Sequence, residues 1–86
     1  MTFKIRIKYS GRWYQFVVEQ FDVDERNEKF RIIARNKIVV LQSNRPFFRS
    51  KGIKHRKPDW KVIEGEISNS SGLEDIQKAI LEVVDK

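Results

Sequence analysis

The residues best suited to chemistry in this sequence are the cations of one short segment, 44–57, which reads NRPFFRSKGIKHRK. The segment holds six Lys and Arg residues, no acid, and the one histidine of the chain. The whole chain has 18 Lys and Arg against 12 Asp and Glu, a formal net charge of +6. The rest of the chain is therefore balanced, and the excess positive charge is confined to this segment. A concentrated basic patch of this kind is typical of polyanion-binding surfaces.

The segment leads us to expect a polyanion partner, and single-stranded DNA or RNA in particular. Lys and Arg neutralise phosphates, while aromatic rings stack on unpaired bases. A sheet without a basic recognition helix suits single strands better than a duplex groove. The predicted contacts in the segment are Arg45, Arg49, Lys51, Lys54, His55, Arg56 and Lys57. The predicted secondary surface on the sheet comprises Lys4, Arg6, Lys8, Arg31, Arg35 and Trp13.

Catalytic chemistry has little support in the residue pattern. His55 and Asp59 are four residues apart and could form an acid–base pair, but no nucleophile accompanies them. Glu64 and Glu66 would share one face of a strand, and paired carboxylates can bind Mg²⁺. The chain has no Cys, no GxSxG turn and no phosphate-binding GxxxxGKS loop. We therefore predict a non-enzymatic protein with no catalytic residue, no metal site and no cofactor.

The elements that must position these side chains are predicted from hydrophobic periodicity. Between residues 3 and 9, four apolar side chains alternate with three cations, which is the clearest strand pattern in the chain. Further strands are predicted at about 13–21, 29–35, 38–43 and 60–67. Turns are predicted at Ser10–Arg12 and at Asn36–Lys37. The basic segment falls in a loop, 44–59, which we expect to be largely irregular, with room for a helical turn near Phe47.

The C-terminal segment has the pattern of one amphipathic helix over about 72–85. Apolar residues recur there at helical spacing, and Ser71 and Glu74 have the spacing of a capping box. Strands joined by short turns and followed by a helix predict an α+β fold, with an antiparallel sheet of four to five strands and the helix packed on one face. A chain of 86 residues has room for a single domain, 1–86.

Two further expectations concern the faces of the sheet. In the second strand Tyr14, Phe16 and Val18 are predicted to point inward, which leaves an unusually apolar outer set. An alternative function follows from that set, namely a protein partner or a homodimer formed through Trp13, Val17, Ile33 and Val39. A structural alternative is that the acids Glu19, Asp22, Asp24, Glu25 and Glu28 pair with the cations and leave no binding surface.

The expected environment is the cytoplasm, without membrane contact. The longest apolar run, Ile38 to Leu41, is far shorter than a bilayer span. The first residues lack the apolar stretch of a signal peptide.

Overall fold

The computed structural model describes residues 1–35, 37–53, 56–66 and 70–84. These ranges form a five-stranded antiparallel sheet in the order β1-β2-β3-β4-β5, with two helices. The elements are β1 (Thr2–Tyr9), β2 (Arg12–Phe21), β3 (Glu28–Ala34), β4 (Lys37–Ser43), α1 (Arg45–Ser50), β5 (Trp60–Glu64) and α2 (Ser70–Val84). The predicted α+β class, an antiparallel sheet with a C-terminal helix packed on it, is confirmed. Within the described ranges, no helix is long and apolar enough to cross a bilayer.

The core lies between α2 and one face of the sheet, called here the inner face. Its buried members on the sheet are Ile5, Ile7, Val18, Phe30, Ile32 and Leu41, and α2 contributes Ile76 and Ile80. The alternation of β1 therefore buries its isoleucines and leaves Lys4, Arg6 and Lys8 on the opposite, outer face. In β2, Val18 is buried and Trp13 exposed, so the predicted phase of that strand is correct.

One residue of β4 lies on the opposite face of the sheet from the one predicted. Val39 was expected on the outer face, but it is paired with Ile32 and packs against the core. Its neighbours Ile38 and Val40 occupy the outer positions instead. Because residues 38–41 are all apolar, this strand has no alternation from which its phase could be read.

The ends of several elements differ from those predicted. Ala34 pairs with Lys37, so Lys37 belongs to β4 rather than to the turn. Asn36 itself lies outside the described residues, as do Ile67 at the predicted end of the fifth strand and Asp85 at the predicted end of the helix. Helix α2 begins at Ser70, ahead of the expected start. The side chain of Ser71, and with it the predicted capping box, lies outside the described residues.

Gly65 explains why β5 stops at Glu64. Its φ is +81°, which only glycine adopts without strain, and this conformation turns the chain away from the strand. A Cβ at this position would lie 2.6 Å from the carbonyl oxygen of Ile38 and 3.2 Å from the Cα of Val39. Just before Gly65, the register between β4 and β5 shifts at Val40/Leu41. Gly65 thus lets the edge strand and β4 approach closely.

We expect Gly65→Ala to destabilise the fold by about 3 kcal/mol, because left-handed strain and a backbone clash act together. The matched control is Gly52→Ala. Gly52 has φ +70° but nothing within 4 Å of an added Cβ, so it carries the backbone strain alone, about 1–2 kcal/mol. Urea unfolding of both variants measures the difference. Equal losses in the two variants would contradict the close-packing role of Gly65.

Candidate functional site

The basic segment contains a short helix with a defined C-terminal cap rather than irregular chain throughout. Pro46 stands in its first turn, where a missing N–H is tolerated. At the other end, the Gly52 N–H donates to the Arg49 carbonyl at 3.1 Å, and the Ile53 N–H donates to the Phe48 carbonyl at 2.9 Å. With positive φ at Gly52, these two bonds form a Schellman motif. The motif ends α1 and so fixes the position of Arg49 in its last turn.

The two ends of the loop are tied together by Asn44 and Asp59. The Asn44 Nδ2 donates to Asp59 Oδ2 at 3.1 Å, and the Asp59 N–H donates to Asn44 Oδ1 at 2.7 Å. The Asn44 N–H also donates to the Asp59 carbonyl at 3.3 Å. Just outside this pair, Ser43 and Trp60 face each other in the sheet. The chain therefore leaves and re-enters the sheet at one point, as in a compact Ω-loop.

Arg45 is held inside the fold by Glu28. Its Nε donates to Glu28 Oε2 and its Nη2 to Glu28 Oε1, both at 2.7 Å. The Glu28 side chain is 0% exposed and the Arg45 side chain 11%. Gln20 Nε2 also donates to Glu28 Oε1, at 2.8 Å. The charge of Arg45 is thus matched within the protein, and the residue is placed as an anchor of the loop rather than on its exposed surface.

The remaining described cations of the loop are at the surface. Arg49, Lys51 and Lys57 are exposed. The Arg56 guanidinium lies 5.2 Å from the Phe48 ring centroid and 3.7 Å from Asp59 Oδ2. Phe48 itself is buried, as expected for a core residue rather than a base-stacking one. Lys54 and His55, and with them the predicted His55–Asp59 pair, lie outside the described residues.

A second basic surface is formed by the first hairpin. β2 pairs with β1 from Arg12 to Glu19, but with β3 only from Val17 onward. Residues 5–9 and 12–16 therefore form a two-stranded ribbon, roughly 16 Å long at 3.3 Å per residue, beyond the point where β3 ends. Ser10 and Gly11 both have positive φ, the conformation of a type I′ turn that matches strand twist.

The outer face of this ribbon combines an exposed aromatic ring with unpaired cations. Trp13 is 60% exposed and lies opposite Lys8. The Arg6 Cζ is 5.1 Å and the Lys8 Nζ 5.9 Å from the Trp13 ring centroid. Within the described ranges, no ion pair involves Lys4, Arg6, Lys8 or Arg12. The three positive charges on the outer face, Lys4, Arg6 and Lys8, are thus left without an acidic partner among the described residues, whereas Arg12 pairs with Tyr9 and belongs to the inner-face side of the hairpin.

The outer face further along the sheet is neutralised by acids. Arg31 Nη1 lies 2.9 Å from Glu19 Oε2, with its guanidinium 4.5 Å from the Phe21 ring centroid. Lys29 Nζ lies 3.3 Å from Asp22 Oδ2. The predicted pairing of acids with cations is therefore present for Glu19, Asp22 and Glu28. Of the predicted secondary surface, Arg31 is paired, Arg35 stands exposed in the β3–β4 turn, and the other members lie on β1 and β2.

Asp24 stabilises the loop between β2 and β3 and is remote from the ribbon. Its Oδ1 accepts backbone N–H bonds from Arg26 and Asn27, each at 2.8 Å. The backbone bond from Asn27, followed by that from Arg26, lowers the pKa of the Asp24 carboxyl below its ordinary value. The side chain is fully exposed, so this is a local turn feature.

The two basic surfaces lie at opposite ends of the sheet. Phe21 pairs with Lys29, which pairs with Gln42, the residue before the end of β4. Trp13 is eight residues from Phe21 along β2, or roughly 26 Å of strand. The longest dimension of the molecule is 38 Å. The residues predicted to form one binding site are therefore divided into a ribbon group and a loop group.

Sequence reasoning did not single out a fourth cation of the ribbon, Arg12, which lies near its tip on the inner-face side. The signal was local charge: residues 3–18 hold four cations and no acid. The equal numbers of cations and acids outside the basic segment concealed this local positive charge, because the acids that balance it cluster elsewhere in the chain.

Metal binding finds no support in the described ranges, where no group of three or more His, Cys, Asp or Glu side chains is close enough to hold an ion. The predicted sharing of a strand face by Glu64 and Glu66 is wrong, because β5 ends at Glu64 and Gly65 turns the chain between them.

No protein-family description matches this chain, and neither curated proteins nor solved structures include a significant relative of it. The case for a function therefore depends on the geometry above.

Arg45→Met is expected to destabilise the protein by about 3–5 kcal/mol, because it leaves the buried Glu28 carboxylate without a cation. Arg49→Met, on the same helix but exposed, should change stability by less than about 0.5 kcal/mol. Chemical denaturation followed by circular dichroism measures both. A loss below about 1 kcal/mol for Arg45→Met would show that the pair does not anchor the loop.

Proposed function

We propose that this protein binds single-stranded nucleic acid through the outer face of the β1–β2 ribbon. The observation that carries the proposal is Trp13, an exposed indole with Arg6 and Lys8 beside its ring. Among the described residues, no acid is paired with either cation. A base can stack on such a ring, and the adjacent cations can neutralise the phosphates on either side of it.

The arrangement favours a single strand over a duplex. In a duplex the bases are already stacked on one another, so an exposed indole on a flat sheet gains little from them. An unpaired base offers its whole ring face, and stacking contributes about 1–3 kcal/mol per base. The cation–π contacts to Trp13 also favour one orientation of the ring before the ligand arrives.

The spacing of the cations indicates where the ligand would lie, in addition to its negative charge. Lys4, Arg6 and Lys8 alternate along one edge strand, about 6.6 Å apart at two residues per step. A backbone of phosphates lying along β1 would meet these cations in succession, with Trp13 facing the bases. The proposal requires no catalytic residue, metal or cofactor, and is that of a binding domain rather than an enzyme.

The salt dependence of binding tests the electrostatic part of this proposal. Three phosphate contacts on a single strand, one each for Lys4, Arg6 and Lys8, predict a slope of about −2 for log K against log salt concentration. Fluorescence anisotropy of a labelled oligothymidylate at several salt concentrations measures it. Absence of binding at low salt, or binding that salt does not weaken, would contradict the proposal.

Trp13→Leu should weaken oligothymidylate binding by about 5- to 100-fold, because it removes the stacking surface and leaves every cation in place. Tyr14→Leu is the matched control, since Tyr14 is the next residue on the same strand but belongs to the inner face. We expect it to change affinity by less than about 2-fold. Equal effects of the two substitutions would show that the outer face is not the binding face.

A second candidate function is self-association, which is favoured by an apolar row on the outer face. Val17, Ile33 and Ile38 pair across three strands there, and Ile38 is 53% exposed. This row replaces the predicted set that included Val39. Self-association through it predicts a concentration-dependent sedimentation coefficient that Ile38→Lys abolishes, because a charge would then have to be buried. A single monomer value at all concentrations would count against this candidate.

A further inference from the structure

A cleft of about 410 Å³ lies between α1 and described residues that follow it, Gly52, Ile53, Arg56 and Pro58. Three arginine side chains line it: Arg45, Arg49 and Arg56. Its remaining walls are Phe48, Ile53 and Pro58, with Gly52 at the bend. No carboxylate is among the described residues that line the cleft. The cleft is therefore positively charged around an apolar base.

The walls of this cleft are fixed by contacts already described. Arg45 is held by the buried Glu28, the Schellman motif closes α1 at Gly52, and the Asn44–Asp59 hydrogen bonds join the two ends of the loop. A pocket held in this way needs little rearrangement when a ligand enters, which favours binding. The two other arginines are the adjustable groups.

Arg49 and Arg56 are available to an anion to different degrees. Within the described ranges Arg49 forms no ion pair. Arg56 lies 3.7 Å from Asp59, but their side chains are 62% and 68% exposed, and exposed pairs of this kind hold little energy. The Phe48 ring, 5.2 Å from the Arg56 guanidinium, supports that group from one side. An anion of higher charge than a carboxylate can therefore compete with Asp59 for Arg56.

We propose that Arg49 and Arg56 bind a phosphate group in this cleft, as a second contact for the strand whose bases meet Trp13. This inference rests on the proposed function. Phosphate is the favoured anion because guanidinium groups bind its oxygens in parallel pairs of charge-assisted hydrogen bonds. The two contacts are separated by the length of the sheet, so only a strand long enough to span them can use both.

Spanning has a measurable consequence. Once the ribbon has bound one part of a strand, the rest of that strand is present near the cleft at high effective concentration. The second contact therefore raises the overall affinity although each contact is unchanged. A short strand, held by the ribbon alone, gains nothing from the cleft. The dependence of affinity on strand length therefore reports on the cleft separately from the ribbon.

The experiment compares oligothymidylates of about 5 and about 20 nucleotides, a range that brackets common site sizes. The long strand offers about 16 overlapping registers of a 5-nucleotide site, so the ribbon alone would favour it by roughly 16-fold. For the unmodified protein we expect an advantage of at least about 200-fold, because the cleft adds a second contact. In the double variant Arg49→Gln/Arg56→Gln this advantage should fall to the statistical value of about 16-fold, while affinity for the short strand changes by less than about 2-fold. The matched control, Arg26→Gln/Lys78→Gln, removes the same charge from exposed positions on another loop and on α2, and should keep the full advantage.

The outcomes separate the inference from the proposed function. If the full length advantage survives in Arg49→Gln/Arg56→Gln, the cleft is not a contact, although the strand still binds. If neither oligothymidylate binds the unmodified protein, the proposed function fails, and pyrophosphate becomes the deciding probe. Shifts of the Arg49 and Arg56 Nε–H signals in NMR spectra on adding pyrophosphate would then support a phosphate site for a free ligand. Unchanged signals would overturn it. The milder variant Arg49→Lys/Arg56→Lys, which keeps both charges but loses the paired donors, serves if the glutamine variant does not fold.

Discussion

The buried pair between Glu28 and Arg45 is the interaction on which the arrangement of the loop depends. Glu28 begins β3 and is enclosed completely, so its carboxylate requires a cation and complete hydrogen bonding. Arg45 supplies both through a two-bond contact, and Gln20 supplies a further donor. Because Arg45 is the first residue of α1, satisfying Glu28 also fixes where α1 starts. The placement of Phe48, Arg49 and the cleft beyond them follows from that one requirement.

Ion pairing also divides the surface cations into two kinds, those that contact an acid and those that do not. Where β2 and β3 run side by side, Glu19 lies directly across from Arg31, and Asp22 reaches Lys29 one step further along. The ribbon has no third strand to bring an acid beside it, and its own residues include none. Among the described residues, its cations are therefore left without an acidic partner as a consequence of sheet topology. Edge cations of this kind also discourage sheet-to-sheet aggregation, so solubility alone explains part of their presence. The exposed indole of Trp13 is the feature that solubility does not explain.

Local patterns were sufficient to predict most of the sheet and the terminal helix. Alternation gave the phase of β1 and β2, and helical spacing placed Ile76 and Ile80 on one face of α2. The pattern did not predict the face on which Val39 lies, because its strand is apolar on both sides and shows no alternation. The helical turn allowed near Phe47 lies within α1, but the bounds of α1 were not predicted, because six residues are too few to show a period. Pro46 and the Gly52–Ile53 pair are nevertheless recognisable helix ends. No sequence pattern indicated that Arg45 would contact Glu28, since the two residues are 17 positions apart and only the folded sheet brings them together.

The division of the basic residues into two groups has a cause that composition cannot reveal. Net charge is a sum over the chain and contains no information about position. β2 is extended, so Trp13 and Phe21 near its two ends lie roughly 26 Å apart. Electrostatic attraction between separated charges is screened over about 8–10 Å in physiological salt, so the ribbon and the loop act on a ligand independently. A compact anion can therefore experience only one of them, and a flexible polyanion is the ligand class able to use both. That argument favours a strand over a small molecule as the partner of this surface, and it holds whichever group makes the tighter contact.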